Sequence, residues 1–237
     1  MANVPYELDP DDPAAPPLGL IVLQTDETIE ADFRHYFAAN PSPIFVSRIP
    51  SGHEVSTETL SAMQADLANA ADLLPKSRRY PVVGYGCTSA SSVIGSDEVE
   101  RLVQRTCEVD VVTNPLRAAI ACAANHGISK LAVLSPYVEE VNEPLRAGFA
   151  KGGVATDVFA TFGEPEEEKV VRISKNSIVE AAVKLGSDSA VEGLFLSCTN
   201  LRTLDAIPAI EKEIGKPVLS SNQSLAWHMK ALVAAKS

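Results

Sequence analysis

Two cysteines occupy matching contexts in this chain. Cys87 stands in Tyr-Gly-Cys-Thr-Ser-Ala-Ser-Ser, and Cys198 stands in Phe-Leu-Ser-Cys-Thr-Asn-Leu. In both segments an apolar run ends at a small residue, and a threonine follows the cysteine. A thiol close to a helix N-terminus has a lowered pKa, because the positive end of the helix dipole favours the thiolate. A thiolate is both a base and a nucleophile, so the pair predicts acid–base or covalent catalysis.

A single buried cysteine is more often a small packing residue than a reactive one. Cys107 and Cys122 fit that description, because both fall within predicted helices and neither follows a strand-end turn. The shared context of Cys87 and Cys198 favours catalysis for those two.

The cysteine contexts belong to a longer internal repeat. Three short motifs recur in the same order at a nearly constant offset, namely residues 21–27 with 133–139, 86–88 with 197–199, and 112–114 with 220–222. Each motif lies at the C-terminal end of a predicted strand. Such recurrence predicts two similar structural units, each contributing one cysteine.

The elements that must position these motifs alternate between strands and helices. Predicted strands cover residues 18–23, 44–47, 82–86, 109–113, 130–134, 156–160, 193–196 and 217–219, and predicted helices include 57–74, 97–107 with Ser96 as N-cap, and 115–126. This order is typical of parallel sheets with helical crossovers. We expect an α/β protein of two doubly wound lobes related by a pseudo-twofold axis. The active site should lie in the cleft between them, where the loops after the strands meet.

Domain limits follow from the repeat. Residues 1–17 are acidic and proline-rich and are predicted to form a flexible N-terminal arm. Residues 18–114 together with 222–237 are predicted to form the first lobe, and residues 115–221 the second.

Composition limits the partners. The net charge of −11 argues against nucleic acid and anionic membranes, and no apolar run reaches the roughly 18 residues needed to span a bilayer. We expect a cytoplasmic homo-oligomer whose four cysteines are not a disulfide framework. Neither CxxC spacing nor a glycine-rich phosphate motif is present, so we expect no metal and no cofactor.

Two further side chains follow strands in equivalent loops. The hydroxyl of Tyr137 can donate to an oxyanion, or the ring can simply cover the strand end. Asp26 can cap a helix predicted over residues 27–39, or bind an amino group or hydroxyl of a substrate. The glutamate-rich run at residues 164–168 is predicted to be a solvated loop and helix start.

The two cysteine motifs resemble those of the aspartate/glutamate racemase superfamily, in the branch of maleate cis-trans isomerases and arylmalonate decarboxylases. The stretches Asp-Glu-Thr, Pro-Tyr-Val-Glu-Glu-Val-Asn and Ser-Ser-Asn-Gln are most similar to racemase/isomerase-like proteins associated with ectoine breakdown. The resemblance implies cofactor-independent chemistry at the carbon next to a carboxylate of a small substrate. It implies that Cys87 and Cys198 are catalytic and that Thr88, Ser89 and Tyr137 form the carboxylate-binding pocket. Thr199, which follows Cys198, is predicted to bind the substrate as well, as is Asp26.

Two positions bear on which member of the branch this chain resembles. The decarboxylases keep only the second cysteine, so the presence of Cys87 weakens that alternative. The isomerases carry asparagine where this chain has Asp26, and a carboxylate there would repel a dicarboxylate such as maleate. A substrate with an amino or amide group is therefore expected.

Four hypotheses remain for the function. The leading one is a racemase or isomerase in which the two cysteines exchange protons on opposite faces of an amino-acid derivative. The alternatives are a maleate-type cis-trans isomerase that works through a covalent cysteine adduct, a decarboxylase of the same superfamily, and a non-catalytic small-acid binding protein.

Overall fold

The computed structural model describes residues 3–10 and 12–235, which form two parallel sheets of four strands each. The first sheet contains β1 (Leu18–Leu23), β2 (Ile44–Ile49), β3 (Tyr80–Gly86) and β4 (Val109–Thr113). The second contains β5 (Leu131–Ser135), β6 (Phe159–Thr161), β7 (Gly193–Leu196) and β8 (Val218–Ser220). Their strand orders are β2-β1-β3-β4 and β6-β5-β7-β8. The same order in both sheets confirms the predicted two-lobed α/β fold.

Helices connect successive strands, as parallel pairing requires. In the first lobe they are α1 (Ile29–Tyr36), α2 (Thr57–Ala62), α3 (Leu67–Asp72), α4 (Thr88–Ile94) and α5 (Ser96–Gln104). The rest are α6 (Pro115–Asn125), α7 (Glu139–Lys151), α8 (Glu167–Val170), α9 (Lys175–Gly186), α10 (Ile207–Ile214) and α11 (Ser221–Ala234). The inner strands β1, β5 and β7 are buried along their whole length, because helices cover both faces of each sheet.

Two predicted helices differ from the observed ones. The helix predicted over residues 57–74 is divided into α2, a 3₁₀ turn at Met63–Ala65 and α3. Ser61 donates its hydroxyl hydrogen to the carbonyl of Thr57, a contact that bends helices. The predicted cap Ser96 is instead the first residue of α5, because its hydroxyl donates to Asn114 and Gly95 precedes the helix with a φ of +92°.

The C-terminal helix α11 starts beside the second sheet and packs on the first. Leu225, Ala226 and Met229 join a buried cluster with residues of β1, α1 and β3. Another apolar cluster contains buried residues of both lobes, including Ile21 and Leu196. The two sheets therefore pack together through a shared hydrophobic core.

The predicted N-terminal arm includes residues 1, 2 and 11, which lie outside the described residues. Its described part, residues 3–10 and 12–17, contains no helix or strand. Among the described helices, none has the length and apolar character that crossing a membrane would require.

Candidate active site

Cys87 lies where β3 ends and α4 begins. It is the N-cap residue of α4, and its sulfur accepts a hydrogen bond from the backbone N–H of Ala90 at 3.3 Å. Gly86 lets β3 reach this turn, because a Cβ at that position would lie 2.6 Å from the Cδ1 atom of buried Ile29. The chain thus fixes the thiol in a tight strand-to-helix turn.

Cys198 follows β7 and adopts a φ of +105°, which makes it the one non-glycine residue with positive φ in the described part of the chain. Such a conformation costs on the order of 1–3 kcal/mol and persists only where neighbouring contacts impose it. Here the N–H of Cys198 donates to Ser221 Oγ at 3.0 Å, and the N–H of Asn200 donates to the Cys198 sulfur at 3.2 Å.

The repeated motifs meet across the lobes. The hydroxyl groups of Thr88 and Ser221 are 2.7 Å apart, and Ser221 in turn holds the backbone of Cys198. From the other side, Thr199 donates its hydroxyl hydrogen to the carbonyl of Gly86 at 3.3 Å. The loops that carry Cys87 and Cys198 are therefore joined by direct hydrogen bonds, in one buried region.

Tyr137 connects Cys198 to a carboxyl group that the sequence did not point to. The Tyr137 hydroxyl donates to Glu167 at 2.5 Å and is 3.0 Å from the Cys198 sulfur. The Nδ2 atom of Asn200 donates to the other oxygen of Glu167 at 2.8 Å. Glu167 is 3% exposed, so the prediction that the whole run at 164–168 is solvated was wrong.

The burial of Glu167 results from pairing between the lobes. Val55 donates its N–H to the carbonyl of Pro165 at 2.9 Å, and Glu167 donates its N–H to the carbonyl of His53 at 3.0 Å. Between these bonds Glu54 and Glu166 form an antiparallel bridge. We call this pairing of residues 53–55 with 165–167 the clasp. No local sequence pattern predicts the clasp, because its two segments are more than a hundred residues apart in the chain.

Asp26 brings a second buried carboxyl group, from the first lobe. Its Oδ1 atom accepts hydrogen bonds from the N–H groups of Thr28 and Ile29, both at 2.8 Å, which supports the start of α1. Its Oδ2 atom is buried and has no hydrogen-bond partner. The cap and substrate alternatives for Asp26 therefore use different oxygens.

The remaining predicted pocket residue, Ser89, is buried in the first turn of α4. The backbone N–H of Ser89 acts as a hydrogen-bond donor to the Cys87 sulfur and lowers the pKa of that thiol in part. Electrostatic interactions link Glu167 with Asp26, Cys87, Tyr137 and Cys198. The structure therefore brings these predicted residues together.

The predicted lowering of the thiol pKa was wrong. Burial raises the pKa of Cys87 to about 12, against the lowering effect of the N–H of Ala90, and the carboxyl groups of Glu167 and Asp26 add to the rise. Burial likewise raises the pKa of Cys198 well above its usual range, and Glu167 reinforces it. Desolvation of the thiolate outweighs the few N–H groups of the turn.

Burial also raises the pKa of both carboxyl groups. For Asp26 the N–H groups of Ile29 and Thr28 lower it in part, and for Glu167 the donors Tyr137 and Asn200 do so. The charge of Asp26 raises the pKa of Glu167 further. Over residues 3–10 and 12–235, no three Cys, His, Asp or Glu side chains are placed to hold a metal ion.

Comparison with known proteins identifies relatives by sequence. Arylmalonate decarboxylase from Bordetella bronchiseptica is 33% identical over 119 residues, which are 49% of this chain and 46% of that protein. Maleate isomerase from Alcaligenes faecalis is 23% identical over 219 residues, covering 86% of this chain and 85% of the relative.

Among solved structures, a cysteine-to-serine mutant of Nocardia farcinica maleate cis-trans isomerase with a covalently bound succinylcysteine intermediate superposes with a TM-score of 0.84 at 21% identity, over 93% of both chains. The family model described as arylmalonate decarboxylase matches residues 45–237. The branch expected from the cysteine motifs is thereby confirmed, and the chain belongs to the arylmalonate decarboxylase family.

Proposed function

We propose that this chain is a cofactor-independent isomerase that acts at the carbon next to a carboxylate of a small acid, with Cys87 and Cys198 on opposite sides of the substrate. The observation that carries the proposal is the joining of the two thiols' loops, one from each lobe, in a single buried hydrogen-bonded site. A protein that only bound a small acid would not need two thiols in such positions.

Cis-trans isomerisation through a covalent adduct is the reaction that the relatives favour. Maleate isomerases match this chain over most of its length, and one of them has been trapped with a succinylcysteine intermediate. One thiolate would add to an alkene carbon while the other thiol protonates the neighbouring carbon. Rotation about the resulting single bond, return of the proton and expulsion of the thiolate then give the trans acid with no net change in atoms.

The contacts suggest a role for each cysteine. Cys87 caps α4 and accepts a hydrogen bond from the N–H of Ala90, which favours its thiolate, so Cys87 is proposed as the nucleophile. Cys198 is proposed as the proton donor, because Tyr137 connects it to the carboxyl group of Glu167. Thr88, Ser89 and Thr199 are proposed to hold the substrate near the two sulfurs.

Decarboxylation is the second candidate, because an arylmalonate decarboxylase is 33% identical to this chain over 119 residues. That reaction is expected to need only Cys198, whereas isomerisation needs both thiols. Racemisation, predicted from the sequence, and a place in ectoine breakdown remain predictions that rest on the motif resemblance.

The proposed function is tested with cysteine-to-serine variants, two inside the candidate site and one outside it. Wild type, Cys87→Ser and Cys198→Ser would be incubated in heavy water with maleate and with cis-4-aminobut-2-enoate, and products followed by proton NMR. We expect turnover to fall at least about 10²-fold in both variants, in line with the loss of an acid–base group. Cys122→Ser is the control and should keep wild-type turnover. Full activity in either site variant would contradict the proposal.

A further inference from the structure

The candidate site holds two carboxyl groups from different lobes, Asp26 and Glu167, each 3% exposed. Asn200 connects the two loops that carry them. It accepts a hydrogen bond from the N–H of Glu27 at 2.9 Å and donates to Glu167 at 2.8 Å. The charge of Asp26 raises the pKa of Glu167, so the two carboxyl groups are close enough to interact electrostatically. We call Asp26 and Glu167 the acid pair.

No basic side chain neutralises the acid pair. In the portion of the chain that the structure describes, no lysine, arginine or histidine forms an ion pair with either carboxyl group. Arg48 is the nearest cation to Asp26 by its electrostatic effect, but its guanidinium donates to the backbone carbonyls of Leu23, Gln24 and Asp26 and pairs with Glu30. A buried carboxylate normally has a cation or a full set of donors.

The donors around the acid pair are also incomplete. An ionised carboxylate offers about four acceptor positions. Glu167 receives one hydrogen bond on each oxygen, from Tyr137 and Asn200. Asp26 receives two on Oδ1 and none at full hydrogen-bond length on Oδ2. The nearby Thr199 hydroxyl helps to lower the pKa of Asp26, but its acceptor within hydrogen-bond distance is the carbonyl of Gly86. Oδ2 of Asp26 therefore has acceptor capacity left for a donor from outside the protein.

On the basis of the function proposed above, we propose that the acid pair binds a cationic nitrogen of the substrate. The substrate is then a small acid with a carboxylate at one end and an ammonium or amidinium group at the other. A dianion such as maleate would meet the acid pair with a like charge, whereas a cation supplies both the missing charge and the missing donor.

The acid pair also acts on the thiols. Glu167 and Asp26 both raise the pKa of Cys87 and of Cys198. A bound cation offsets those two negative charges and makes either thiolate easier to form, while a bound dianion has the opposite effect. The cationic end of the substrate therefore both selects the ligand and activates the cysteines that act on it.

The test measures binding of unreactive saturated acids, so that it does not depend on turnover. β-Alanine and 4-aminobutanoate carry one ammonium, and succinate carries a second carboxylate in its place. Calorimetric titration of wild type at pH 8 should show at least tenfold tighter binding of one amino acid than of succinate. The double variant Asp26→Asn/Glu167→Gln keeps the side-chain volumes and should reverse that preference.

Glu168→Gln is the matched control, because it removes an exposed carboxylate one residue away from Glu167 that lies outside the clasp. It should keep the wild-type preference. Tighter binding of succinate by wild type, no binding of either amino acid, or an unchanged preference in the double variant would each overturn the proposal. If the acid pair selects cations while Cys87→Ser and Cys198→Ser keep full turnover, the proposed function fails and the binding site stands.

Discussion

At the scale of single residues, the site consists of thiol and carboxyl groups whose pKa values are raised by burial. The sequence predicted both cysteines, because their contexts are repeated, and it predicted Tyr137 from its strand-end position. It did not predict that the thiol pKa values would rise, because desolvation is a property of the folded surroundings. Glu167 was missed for the same reason, since its neighbours in sequence are solvated glutamates.

Tyr137→Phe tests the link between Cys198 and Glu167. Without the hydroxyl, Cys198 loses a hydrogen-bond partner at 3.0 Å and Glu167 loses its donor at 2.5 Å. We expect kcat to fall about 10- to 100-fold with little change in KM, because the tyrosine serves proton transfer rather than binding. Tyr80→Phe is the control, since Tyr80 is equally buried and donates to the carbonyl of Pro75. An equal effect of both substitutions would contradict the assignment.

Asp32 provides a stability test that does not require a substrate. Burial raises its pKa from 3.8 to about 6, although Asn222 donates to it. Between these two values the unfolded chain loses the proton while the folded chain keeps it, so this group makes stability fall as the pH rises from about 4 to 6, with no further change above.

Asp32→Asn should therefore raise the free energy of unfolding by about 1–2 kcal/mol at pH 8, and by much less at pH 4. Urea unfolding at the two pH values measures the difference. Asp157→Asn removes an exposed carboxylate and should change little at either pH. A gain for Asp32→Asn that is the same at both pH values would show that ionisation is not its cause.

At the scale of elements, the strands best predicted from the sequence are those with a polar or turn residue directly before and after them. β1, β4 and β7 have the predicted limits, whereas the longer strand β3 begins two residues earlier than predicted. The edge strand β6 lies three residues later at its start than predicted, since a three-residue strand leaves little pattern to read. The clasp could not be predicted, because it depends on how the two lobes come together.

The clasp is expected to control entry to the site. Asp26, Cys87, Tyr137, Glu167 and Cys198 are each at most 5% exposed, so a substrate can reach them only if an element between the lobes opens. Hydrogen exchange should be faster at the amides of Val55 and Glu167 than at Val133 in β5, and 4-aminobutanoate should slow the first two selectively. Exchange as slow as that of Val133, with no response to the ligand, would mean that the substrate enters elsewhere.

At the scale of the whole molecule, the chain is two copies of one topology whose strand ends face a common site. The repeat in the sequence predicted this correctly, because equivalent loops of equivalent sheets must carry equivalent motifs. What it could not supply is the asymmetry between the copies. Cys87 caps a helix, whereas Cys198 has a φ of +105° and a tyrosine partner, and this difference is the basis for giving the two thiols different roles.

The central claim is that the two cysteines act on one substrate from opposite lobes, with Cys87 forming the covalent bond. The most direct measurement is the mass of Cys198→Ser after incubation with cis-4-aminobut-2-enoate or maleate, followed by peptide mapping. We expect an increase equal to the mass of one acid, located on Cys87, and none in Cys87→Ser. An adduct that maps to another cysteine, or trans acid formed at the wild-type rate without any adduct, would contradict it.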